Sequence, residues 1–128
     1  MELEVGLKGK VTSSVEREDT ALEVGSGSLL VYATPCMVAL MEGAACDAIA
    51  DAVPEGKTSV GVELNISHIS ATPVGLEVYA EAELTAIDKN MLSFKVTAYD
   101  ESGMIGEGTH KRALVTSQKF LEKTYEKL

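Results

Sequence analysis

The sequence predicts an α+β fold in which a curved antiparallel sheet wraps one long, enclosed helix. Two observations carry this. A sharply started helix is apolar on most of its faces, so other structure must surround it. Beyond Gly56 the hydrophobic period then changes to two over three long stretches, which describes a meander of strands. Alanines recur in both parts, and small side chains let a helix and a sheet approach closely. At 128 residues the chain suits one domain, residues 1–128, with a real core.

Residues 6–17 read as a strand or an approach to one, without a strong pattern. Residues 19–28, with Gly25-Ser26-Gly27-Ser28, read as a loop, and 29–33 as a short strand or the lead into the helix. The helix is expected over roughly 35–52, with Thr34 as N-cap and Pro35 where no intrahelical bond is lost. Pro54-Glu55-Gly56 ends it. Residues 59–69, 76–87, 91–99 and 104–116 are strand candidates. In the second, Val78, Ala80, Ala82 and Leu84 alternate with Glu77, Tyr79, Glu81 and Glu83, giving one dry face and one wet face. Asp88-Lys89-Asn90 and Asp100-Glu101-Ser102-Gly103 are the turns between the later strands. Residues 118–127 form a short terminal helix or a last extended segment. Strands of this length at a sheet edge favour continuation of the sheet across a dimer.

The net charge is −9, no dense Lys/Arg run occurs, tryptophan is absent and aromatics are 5% of the chain. This argues against nucleic-acid and anionic-membrane partners. No window approaches transmembrane length and the amino-terminal residues do not resemble a signal peptide, so the expected setting is cytoplasmic. Cys36 and Cys46 fall about 15 Å apart on one helix, too far for a disulfide. Cys36 near the helix start is a candidate reactive thiol. Two histidines far apart, with no CxxC and no HExxH, give no metal-ligand spacing.

The pattern that carries chemistry is Thr34-Pro35, with Glu42 eight residues on inside an apolar helix. It continues with Val60-Gly61-Val62 opening a strand, His68 within Asn65-Ile-Ser-His-Ile-Ser-Ala-Thr-Pro73, and His110-Lys-Arg112 in the last strand. In this order and spacing, over roughly residues 10–120, the chain resembles the hotdog-fold thioesterases, most closely the fluoroacetyl-CoA thioesterase-like branch. The resemblance implies a catalytic group of Thr34, Glu42 and His68, with Gly61 binding the thioester carbonyl and Arg112 in the active-site region. It also implies a homodimer or dimer of dimers with sites at subunit interfaces. Coenzyme A is then part of the substrate, and no retained cofactor is expected. In that branch the fluoroacetyl-specific member closes an aromatic-rich lid over its acyl group; here residues 18–33 hold one aromatic, Tyr32.

Read as chemistry, the free N–H groups at the helix start can stabilise an oxyanion, and Thr34 can position a nucleophile or a water. His68 takes or relays a proton. Glu42 can serve as base, as a nucleophile through an anhydride, or as the group that orients His68. His110 and Arg112 share one strand face and are expected to meet substrate phosphates, Arg112 through its paired donors. Cys36 completes the substrate-binding candidates. A non-enzymatic acyl-CoA or small-ligand binding protein is the alternative reading.

Overall fold

The computed structural model describes residues Met1–Leu128. Strand β1 (Lys8–Ser14) leads through a 3-10 turn (Arg17–Asp19) and a single-turn helix α1 (Ala21–Val24) to the long helix α2 (Thr34–Ile49). Strands β2 (Lys57–His68), β3 (Glu77–Asp88), β4 (Met91–Asp100) and β5 (Gly103–Thr116) follow, and α3 (Ser117–Tyr125) ends the chain. All strand pairs are antiparallel, in the order β1-β3-β4-β5-β2. The meander expected from the period-two pattern is β3-β4-β5, and β1 and β2 extend it at opposite edges.

The dry faces meet α2. Val78, Ala80, Ala82 and Leu84 of β3 and Leu92, Phe94, Val96 and Ala98 of β4 are buried with Met37, Met41, Ala44, Ala45, Ala48 and Ile49 of the helix. Each large apolar side chain so enclosed contributes about 1.5–3 kcal/mol. The alanines bring backbone close to backbone, most closely at Gly9 of β1, where an added Cβ would overlap Ala44 O and Ala48 N.

Two local readings change, and two alternatives left open are decided. The segment expected to be loop holds α1, with Thr20 Oγ1 accepting from Glu23 N and Gly25 closing the turn at φ 81°. Residues 29–33 are the lead into α2, tied by isolated bridges Thr20↔Tyr32 and Val31↔Pro73. The N-cap of α2 is Ala33 and not Thr34, and no side chain caps it. Thr34 is already helical, and its hydroxyl is used elsewhere. The carboxy-terminal segment is a helix with Phe120, Leu121 and Tyr125 exposed. No helix is long and apolar enough to cross a membrane.

Candidate active site

The first part of the site joins the start of α2 to the end of β2. Thr34 Oγ1 lies 2.8 Å from His68 Nδ1, and both line a cleft with Ala21, Val31, Tyr32 and Ile69. Burial holds the His68 imidazole below the usual histidine range, so it is a neutral proton acceptor near pH 7. Its Nε2 is buried without a hydrogen-bond partner in the chain. Around Thr34 the backbone donors are fewer than a helix start ordinarily offers. The N–H groups of Cys36 and Met37 go to Ala33 O at 3.0 and 3.1 Å, and Pro35 has none, which leaves the N–H of Thr34 itself.

Both partners of this pair are held by one loop. Tyr32 N donates to Thr72 O at 2.8 Å and Ala33 N to Asp19 O at 2.8 Å. Thr72, fully buried, donates its hydroxyl to Asp100 Oδ2 at 2.7 Å, and Asp100 Oδ1 accepts from Ser102 N at 2.7 Å. Thr72 follows His68 by four residues, so the loop after the histidine anchors the segment before the threonine. Hydrogen bonds of this kind, two of them ending on the Asp100 side chain, are costly to break when buried. Nothing in the sequence pattern pairs Thr72 with Asp100, and neither was a site candidate.

The second part surrounds Glu42. Its Oε2 accepts from Arg112 Nη1 at 3.2 Å and lies 3.9 Å from His110 Nε2. The carboxylate abuts Gly61, where a Cβ would overlap Oε2; glycine lets the carboxylate lie this close to the strand. The Glu42 side chain remains 39% exposed and opens on a cleft with Val38, Gly61, Val62, Glu63, Leu64 and His110, along the free edge of β2. A bulge between Gly61 and Glu63 breaks the strand's regular pairing there.

Arg112 and His110 share a strand face as expected, but that face is the inner one. The Arg112 side chain is only 8% exposed. Its Nε donates to Ser59 Oγ at 2.8 Å, Nη2 to Ser59 O at 3.0 Å, and Nη1 to Glu42 and to His110 Nε2, the latter at 3.2 Å. The fork expected to grip a phosphate is filled within the chain. His110 is 1% exposed, and its Nδ1 lies 2.9 Å from Glu63 O. A carbonyl only accepts, so Nδ1 carries the proton and Nε2 accepts from Arg112. Burial, and secondarily the Arg112 charge, holds this histidine below its usual range. Ser59 was not legible as a partner in advance, because a serine at a strand start carries no distinctive signal.

Cys36 is half-buried, and burial with the nearby Asp19 charge pushes its thiol up, opposite to the shift a reactive cysteine needs. Both cysteines are free. No set of three or more His, Cys, Asp or Glu side chains converges as metal ligands would. The structure thus brings Thr34 to His68, and Gly61, His110 and Arg112 to Glu42. The two groups do not meet within one chain. Eight residues of helix separate Thr34 from Glu42 by about 12 Å, and seven of strand separate Gly61 from His68 by about 23 Å.

Comparison with known proteins gives the family and the fold. Residues 15–118 match the family model described as FlK, fluoroacetyl-CoA-specific thioesterase. The fluoroacetyl-CoA thioesterase of Streptantibioticus cattleyicolor is 41% identical over 97 residues, 76% of this chain and 70% of that protein. A solved structure of the fluoroacetyl-CoA thioesterase FlK superposes with a TM-score of 0.93 at 33% identity, covering 100% of this chain and 99% of the other. A hot-dog-like protein from Thermanaerovibrio acidaminovorans shares the fold, with a TM-score of 0.86 at 20% identity over 97% of this chain and 92% of its own.

Proposed function

The chain belongs to the fluoroacetyl-CoA-specific thioesterase family, and on that premise we propose that it hydrolyses an acyl-CoA thioester in a site built by two protomers. Thr34 and His68 come from one protomer and Glu42 from the other. The observation that carries this reading is the 2.8 Å contact of Thr34 Oγ1 with His68 Nδ1 at the start of an enclosed helix. It supplies a hydroxyl and its proton acceptor beside the Thr34 N–H, the one donor left open for an oxyanion.

Water and the thioester become a carboxylic acid and the free thiol of coenzyme A. His68 accepts the proton of the attacking hydroxyl, that of Thr34 or of a water held by it, as the carbon–oxygen bond forms. The carbon–sulfur bond then breaks, and the proton passes to the departing thiolate; where Thr34 is the attacking group, a water then cleaves the acyl–threonine ester, giving its proton to His68, which returns it to the Thr34 oxygen as the acid leaves. Glu42 lies too far along its own helix to join this pair. The unpaired β2 edge supports a homodimer: antiparallel β2–β2 pairing about an axis near residues 64–65 sets His68 of one protomer level with Gly61, and hence Glu42, of its mate. Glu42 there activates the hydrolytic water or orients the imidazole. No cofactor is needed, because coenzyme A enters as part of the substrate. Free thiols and an acyl-CoA substrate fit a reducing cytoplasm.

The test is a panel of acyl-CoA thioesters followed by release of free thiol, with the Glu42→Gln protein alongside. The reading expects turnover of at least one thioester and a loss of about hundredfold or more in the variant. Thiol release from none of the panel, or near-normal turnover by the folded variant, would overturn it.

A further inference from the structure

His110 is the most completely buried titratable side chain in the molecule, and the reaction as proposed gives it no part. It is not placed to meet substrate phosphates. Both ring nitrogens are engaged inside the chain, Nδ1 on Glu63 O at 2.9 Å and Nε2 on Arg112 Nη1 at 3.2 Å. It packs between Leu64 of β2 and Phe94 of β4, its register partners.

We propose that His110 is a positioning residue for Glu42, acting through Arg112. This rests on Glu42 being part of the reacting site. The Glu63 carbonyl fixes the ring's proton on Nδ1, which leaves Nε2 a lone-pair acceptor aimed at Nη1. That same Nη1 reaches Glu42 Oε2 at 3.2 Å, so the imidazole sets the angle from which the guanidinium meets the carboxylate. Ser59 fixes the other side of the fork through Nε and Nη2. Arg112 is thereby clamped at all three nitrogens, and one Glu42 oxygen is held while its cleft stays open. The only charged groups facing the ring are Arg112 from β5 and Glu42 from α2; β2 presents a carbonyl and β4 an aromatic ring.

Two amides separate this role from packing alone. Glutamine places its carbonyl oxygen near the position of Nε2 and keeps an acceptor for Arg112. Asparagine keeps a donor for the Glu63 carbonyl but is too short to reach Arg112. For His110→Asn, kcat is expected to fall about tenfold to hundredfold with KM changed by no more than about twofold, since a misplaced carboxylate spoils the reacting geometry. His110→Gln is expected to rescue most of this, losing about threefold. Folding of each is checked by circular dichroism and melting.

Equal kcat values for the two amide proteins, whether both high or both low, overturn the proposal, because packing alone treats them alike. Should His110→Asn not fold, the glutamine protein decides: a loss of about tenfold or more in a folded His110→Gln overturns it, and retention supports it. Glu42→Gln with full turnover overturns this proposal together with the reading of Glu42. Glu42→Gln inactive beside a fully active His110→Asn overturns the His110 role alone.

Discussion

Thr34 Oγ1 sits 2.8 Å from His68 Nδ1, so the hydroxyl that looks like a helix cap in the sequence is directed at a strand histidine instead. Ala33 takes the cap position and makes no side-chain cap bond. A threonine freed from capping keeps its hydroxyl for chemistry.

Replacing Thr34 therefore changes turnover more than folding. Thr34→Ser keeps the hydroxyl and is expected to stay within about tenfold of the parent kcat, whereas Thr34→Ala drops it by about hundredfold. Because no cap bond is lost, Thr34→Ala should cost under about 1 kcal/mol of stability, less than removal of a true N-cap. Steady-state thiol release and denaturant titration measure the two effects separately.

Two glycines make opposite predictions. A methyl at Gly61 runs into the Glu42 carboxylate, a movable side-chain end, so Gly61→Ala should fold and lose about tenfold or more in kcat. A methyl at Gly9 runs into the backbone of α2, which cannot step aside. Gly9→Ala should destabilise by about 1–3 kcal/mol or more. Melting temperature and kcat measured on both proteins give the crossed pattern, and similar effects at the two positions would count against it.

On the proposed two-protomer site, assembly is a requirement for activity. Val62 is 50% exposed on the free edge of β2, so Val62→Asp adds charge to open surface of the isolated chain but buries it in a β2–β2 interface, at a cost of several kcal/mol. Light scattering should show monomer, and thiol release should fall with it. A monomeric Val62→Asp at parental activity would exclude the shared site.

Acid acts on stability and rate in the same direction. His68 and His110 are both held low by burial, whereas in the unfolded chain each titrates near 6.5. Below about 6.5 the unfolded state binds the extra protons first, so stability is full above that pH and declines as pH falls through the window down to the folded values. Melting curves between about pH 7.5 and pH 5.5 should show the decline, and His110→Gln should reduce it. With His68 as the proposed proton acceptor, the acidic limb of kcat/KM should lie below the ordinary histidine range.

Much of the architecture can be read from the chain, because β3 and β4 alternate residue by residue and α2 is apolar nearly all round. Those patterns follow directly from what each face touches. The site is legible only in part. Thr34, Glu42 and His68 stand out as polar groups in unlikely places, yet sequence order says nothing of how a helix rising 1.5 Å per residue registers against a strand rising about 3.3 Å. The eight residues of α2 between Thr34 and Glu42 carry the carboxylate about 12 Å from the end where His68 sits. The internal use of Arg112 was likewise hidden, since a strand's alternation shows that two residues share a face but not which face is covered. The Thr72–Asp100 bond joins residues 28 apart and has no local signature at all.

That last bond has a mechanical corollary. One clip at Thr72 secures both the strand end bearing the histidine and the run of backbone that delivers the threonine, and it is fastened to the β4–β5 hairpin. A tug on that hairpin, from a binding partner or a crosslink, reaches Thr34 and His68 through the same anchor, so the two are expected to shift together and keep their mutual spacing.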